Sequence, residues 1–141
     1  LPGGKKVFSK LIGRAAPYTG SIDARVQELK PGYCKAILQD KATLRNHLDC
    51  VHAVALVNLA EVTGNLALSY TLPDDARFIV AGLSIEYIKK SRGTITGTCT
   101  SPLINTSDKQ EYPVEVVMKD SSGDIVATAK LQTLVGPKLL Q

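Results

Sequence analysis

Tryptophan is absent from this sequence of 141 residues, and only two phenylalanines and five tyrosines stand in for it. A core without large rings must be filled by Val, Ile, Leu and Ala. Cysteine is scarce too: Cys34, Cys50 and Cys99 form an odd set with no CxxC spacing. That argues against a disulfide frame or a zinc ribbon, and for three reduced, small apolar residues of an intracellular protein. No HExxH or similar spacing of His, Cys and carboxylate occurs, so no metal centre is expected. A glycine-rich phosphate loop and a GxSxG elbow are missing as well. No apolar run approaches the length that spans a bilayer, and no charged-then-apolar leader opens the chain. Leu1 rather than Met stands first, as at a trimmed end. Cytoplasm is the expected compartment. The net charge of +4 is mild, and the dense basic patch with interleaved aromatics of a nucleic-acid binder is not seen.

What is present fits one domain over residues 1–141, with no repeat and no linker. Val7, Phe8, Leu11 and Ile12 have the spacing of a short amphipathic helix, which Pro17 and Gly20 end. Ile22, Ala24 and Val26 alternate with polar residues, as do Cys34, Ala36 and Leu38; Pro31-Gly32 between them makes a hairpin. Residues from about His52 to Tyr70 are rich in Ala, Leu and Val and hold no proline, the composition of a buried helix. Gly64 within it costs roughly 1 kcal/mol against Ala, a cost expected where another backbone packs close. Four strands follow. The first alternates only late, with Leu83, Ile85 and Tyr87 opposing Ser84 and Glu86; the last two flank a Ser-Ser-Gly-Asp turn. Strands joined by short turns make an antiparallel sheet, and the apolar helix must lie against one face of it. The expected class is α+β, an antiparallel sheet wrapped around one long central helix.

The stretch Asn46–Gly64, NHLDCVHAVALVNLAEVTG, is mostly apolar yet carries His52 and Glu61. Charged groups are seldom buried without a partner or a task. Element order over nearly the whole chain, together with this stretch, resembles the hot-dog fold. It is most similar to the small acyl-CoA thioesterases related to the phenylacetate-pathway enzymes, in a poorly characterised bacterial branch. In that family an Asn precedes the central helix, a His-Gly pair starts it, and an acid follows about two and a half turns on. Asn46, His52 and Glu61 stand at those places, with Ala53 where Gly is usual and Glu where Asp is commoner. Val80 and Ala81 stand where the family often adds a Ser or Thr that orients water.

The resemblance implies thioester hydrolysis, with coenzyme A present only as part of the substrate and no cofactor besides. A helix start offers free N–H groups and a positive dipole end, so the Ala53 N–H is the candidate oxyanion donor. Asn46 would position the carbonyl or a water, and Glu61, made more basic by burial, would act as general base or nucleophile. Ala53 and Glu61 lie roughly 12 Å apart along one helix, too far to serve one carbonyl. The family solves this with antiparallel helices in a homodimer, or a dimer of dimers, so each site takes Asn46, His52 and Ala53 from one chain and Glu61 from its partner. Lys89, Lys90 and Arg92 are the candidates to meet the nucleotide phosphates of coenzyme A.

Plainer readings stand beside these. Asn58, Glu61 and Asn65 fall on one helical stripe that solvent or an interface would explain. His52 suits a helix cap, Asn46 a turn, His47 a loop hydrogen bond, and the basic run a solvated strand end. Two other functions share the fold: a non-catalytic acyl-binding protein, and an acyl-thioester hydratase or dehydratase. The latter usually shows Pro, Phe and Gly before the helix, which Asn46–Val51 lacks.

Overall fold

Residues 3–139 are described by a computed structural model. The chain opens with α1 (Gly4–Ala15) and the one-turn α2 (Pro17–Gly20). It then forms β1 (Arg25–Lys30) and β2 (Tyr33–Leu38), and passes a 3₁₀ turn (Ala42–Leu44) to reach α3 (Ala53–Ser69). Four strands complete it: β3 (Ala76–Tyr87), β4 (Ile95–Thr100), β5 (Gln110–Lys119) and β6 (Ile125–Pro137). All six strands pair antiparallel in one sheet, in the order β1-β2-β4-β5-β6-β3. This is the α+β class expected from the sequence. The described residues hold three α-helices, one more than the opening and central helices expected. α1 ends at Ala15, just ahead of Pro17 as expected, and Pro17 then begins α2. At the first helical position its missing N–H costs nothing and its fixed φ suits the helix. Among the described residues no helix is long and apolar enough to cross a membrane.

The first hairpin turns at Pro31-Gly32, where Gly32 takes φ +75°, a left-handed conformation that most side chains resist. β1 starts at Arg25, so Ile22 and Ala24 precede the strand; Ile22 is nevertheless buried. The last hairpin is built on Asp120, whose Oδ1 accepts from the Ser122 and Asp124 N–H groups at 3.0 Å each.

α3 lies against one face of the sheet and touches every strand. Ala60, Leu59, Ala67 and Leu68 of α3 are fully buried against Val114, Val116 and Met118 of β5 and Leu131 of β6. Close approach is purchased by glycine on both layers. A Cβ on Gly97 of β4 would sit 2.9 Å from Thr63 Oγ1 and 3.4 Å from Leu59 Cγ. Gly64 faces the side chains of Val114, Leu131 and Val116, so the expected contact with another backbone is in fact one with β5 and β6 side chains. The Thr63 hydroxyl is satisfied within the helix, donating to the Leu59 carbonyl at 2.7 Å. Leu59→Ala would leave a cavity at this tightest point and is expected to cost about 2–5 kcal/mol, read as a lower denaturant midpoint at unchanged slope.

β3 explains its own late alternation. Its pairing with β6 shifts register between Val80 and Gly82, leaving Ala81 as an extra residue. Before this bulge Phe78 and Val80 oppose buried Val135 and Thr133; after it Leu83, Ile85 and Tyr87 oppose buried Leu131, Ala129 and Ala127. One added residue moves the inward set from even to odd positions. Among the described residues the strand pairs with β6 alone, and its other edge is unpaired.

Candidate active site

The loop before α3 is held by its own polar groups. The Asn46 N–H donates to the Cys50 carbonyl at 2.8 Å, and Asn46 Oδ1 accepts from the N–H groups of Leu48 (2.9 Å) and Cys50 (3.2 Å). Asn46 is thus the turn residue of the plainer reading, and the turn consumes its side-chain oxygen. Arg45 steadies the same loop, donating to Asp40 at 2.7 Å and to Asp49 at 3.3 Å. The Arg45 guanidinium, with the Gly93 N–H, holds the Asp40 carboxyl below its usual range. Next, the Val51 N–H donates to the Ser91 carbonyl at 2.8 Å and the His52 N–H to the Leu44 carbonyl at 2.7 Å. The loop is therefore stitched to the segment that follows β3, and the two form facing walls.

His52 is the N-cap of α3. Its backbone is extended, and its Nδ1 accepts from the Val54 N–H at 3.0 Å. His52 is exposed and lines a separate cavity with Tyr18, Arg45 and Asn58, which Asn46 does not line. No acceptor for the Ala53 N–H is found among the described residues. This donor sits at the positive end of a 17-residue helix.

Asn46 and Ala53 share a cavity of about 310 Å³. Lys89 and Lys90 form part of its wall, with Leu56 at its apolar side. A larger cavity, about 510 Å³, lies between α1, α2 and β1, but none of the expected site residues lines it. The smaller one is the candidate because of what faces it, not its size.

Besides His52, two expected residues stand apart from it. Glu61 is exposed, with no hydrogen bond or ion pair among the described residues, and lines neither cavity. The burial expected to make it more basic is not present within one chain, because Ala60 and Val62 take the inward positions beside it. Its stripe is not uniformly wet either: Asn58 is buried and donates to the Tyr18 carbonyl at 3.1 Å. Arg92 is exposed and outside the cavity wall. Lys89 lines the cavity but is already engaged, its Nζ 2.7 Å from Asp124 and 2.9 Å from Asp120. Those two carboxylates, Asp124 foremost, raise the pKa of its ammonium. Lys90 is exposed and forms no ion pair among the described residues.

Two polar groups of this cavity escaped sequence reasoning. Tyr87 Oη donates to the Ala53 carbonyl at 2.9 Å, across 34 residues of chain, and desolvation pushes its hydroxyl pKa up. Ser91 is buried, and its Oγ has no partner among the described residues. Alternation along β3 marks Tyr87 as inward-facing, but no spacing links it to Ala53. Tyr87→Phe is expected to lower stability by about 1 kcal/mol, seen as a small fall in thermal midpoint.

A six-stranded antiparallel sheet with α3 across it, and a polar cavity at the start of that helix, define a hot-dog-like fold. Residues 4–135 match the family described as a domain of unknown function, DUF4442, and the chain belongs to that family. A protein solved as genomics target APC5556 shares 30% identity over 96% of this chain and 91% of its own, with a TM-score of 0.86. The Pseudomonas aeruginosa protein PA5026, designated a probable thioesterase, shares 19% identity over 94% of this chain and 95% of its own, with a TM-score of 0.82. The Haemophilus influenzae thioesterase HI1161 shares 15% over 97% of this chain and 93% of its own, with a TM-score of 0.81. The last two likenesses are of fold. No curated protein sequence matches the chain.

Proposed function

We propose that this protein is an acyl-CoA thioesterase of the phenylacetate-pathway type, hydrolysing a fatty or aromatic acyl thioester as a homodimer with two equal sites. The observation that carries the reading is the Ala53 N–H at the helix start, without an acceptor among the described residues, on a residue that lines the same cavity as Asn46. The thioesterase designations of the Pseudomonas and Haemophilus neighbours support it. In this reading the Ala53 N–H polarises the thioester carbonyl and receives the charge that develops on its oxygen. The Asn46 oxygen is taken by Leu48 and Cys50, so its amide N–H₂ is the half left to position the carbonyl or a water. Glu61 of the partner takes a proton from water as water attacks the carbonyl carbon. The carbon–sulfur bond then breaks as Glu61 returns the proton to the leaving sulfur, so coenzyme A leaves as its thiol and the acyl group as a carboxylic acid. Lys90 and Arg92 meet the nucleotide phosphates more readily than Lys89, which Asp120 and Asp124 hold.

The dimer draws support from the free edge of β3. Beside that edge Ile79, Leu83, Tyr87 and, from α3, Val54 are exposed apolar side chains. A twelve-residue edge strand with such neighbours invites pairing with another chain. A second reading, an acyl-CoA-binding protein without turnover, is favoured by one observation: no carboxylate lines the cavity within a single chain. Thiol release, read with a disulfide dye on acyl-CoAs of increasing length, separates the two. Release from at least one acyl-CoA is the expected result; a bound acyl-CoA that is never cleaved would establish the binding protein instead.

A further inference from the structure

The basic excess of this chain has one location. α1 carries Lys5, Lys6, Lys10 and Arg14 and no acidic residue. The chain has 17 basic and 13 acidic side chains, so without these four the count is 13 against 13. The net charge of +4 is the charge of one twelve-residue helix.

The same helix is amphipathic and unpartnered. None of its residues is buried, and Val7, Leu11 and Phe8 are 58%, 55% and 38% exposed. At about 100° per residue these three form one apolar stripe. Arg14 and Lys10 run along one border of it, Lys6 lies farther round, and Lys5 falls between Ile12 and Ser9. The helix is attached by a different side. Ser9 Oγ accepts from the Val26 N–H of β1 at 3.0 Å, Ile12 packs partly against the core, and Gly13 abuts Gly20. Those contacts fix its orientation and leave the stripe facing outward.

We propose that α1 is an interfacial helix that seats this protein on an anionic lipid bilayer. Val7, Phe8 and Leu11 enter the boundary between headgroups and acyl chains, while Lys10 and Arg14 at the border of the stripe lie among anionic headgroups. Twelve residues reach about 18 Å, too short for a span of roughly 30 Å, so the helix lies in the membrane plane. Charge selects this occupant. A second copy of α1 would bring four more cations against the first four, and the remainder of the chain has no net charge to offset them. Nucleic acid would match the cations but leave the apolar stripe in water. α1 sits on β1, at the edge of the sheet opposite β3. The proposal does not rest on thioesterase activity.

The test is flotation of the whole protein with phosphatidylcholine vesicles, with and without about one-third phosphatidylserine. Binding is expected only to the anionic vesicles, falling as salt is raised. Lys10→Gln with Arg14→Gln, the two cations that border the stripe, is expected to weaken it about 25-fold, roughly fivefold per cation. Val7→Ser with Leu11→Ser is expected to abolish it while thermal unfolding and sedimentation stay unchanged, since neither side chain is buried. Failure of the wild type to float with anionic vesicles, or equal flotation with neutral ones, would overturn the proposal. So would a shift in oligomeric state in the apolar double variant, which would make the stripe a contact between copies. Binding to a DNA duplex that the apolar variant retains, with no vesicle binding, would also overturn it. Thiol release from acyl-CoA without vesicles is measured on the same samples, so each reading can fail alone.

Discussion

Glu61→Gln is expected to lower thiol release from acyl-CoA by about 10²–10⁴-fold, the range that one positioned base contributes. The variant should be otherwise undisturbed. Glu61 is exposed and makes no hydrogen bond or ion pair among the described residues, so the amide replaces nothing the fold relies on. Surface changes of this kind move stability by no more than about 0.5 kcal/mol. Thermal unfolding and sedimentation of the variant should therefore match the wild type, and lost turnover would report chemistry rather than unfolding. Retained turnover would remove Glu61 from the site. The Asn46–Ala53 cavity would then need another base, and its own chain supplies no carboxylate to the wall.

How much of this was legible in the sequence follows from the distance over which each signal acts. α3 was legible because a proline-free apolar stretch with His52 at its start is local information, and the helix runs Ala53–Ser69. Pro31-Gly32 and Ser121–Asp124 gave the hairpins for the same reason. β3 was half legible: the bulge at Ala81 reverses the inward positions, so a single alternation could be followed only from Leu83 onward. Asn46 and Ala53 share a cavity, since seven residues of loop and helix cap fix their relation. His52 took its capping role because its Nδ1 reaches the Val54 N–H. Pairings across long stretches of chain left no trace in spacing. Lys89 with Asp120 and Asp124, Tyr87 with Ala53, and Asn58 with Tyr18 arise only once the sheet and helices are assembled. Glu61 is the instructive case. Its spacing from His52 matches the resemblance, but spacing along a helix carries no information about which chain covers that face.

Mixing two inactive proteins is expected to restore activity that neither has alone. Asn46→Asp keeps the side-chain oxygen that accepts from Leu48 and Cys50, so the loop before α3 retains its turn. It removes the amide donor and sets a negative charge where an oxyanion must form, which should abolish turnover. Glu61→Gln abolishes it from the other side. If each site joins Asn46 and Ala53 of one chain to Glu61 of its partner, a mixed dimer holds one intact site and one doubly altered site. Random exchange makes half the dimers mixed, so roughly a quarter of wild-type activity should return after co-refolding an equal mixture. No recovery, with exchange verified by mass-tagged chains, would mean that both residues act within one chain or that Asn46 serves the loop alone. Recovery would require the two helices to lie close enough to share a substrate. It would also explain why Glu61 stands exposed on an otherwise apolar helix: that face is completed by the second chain.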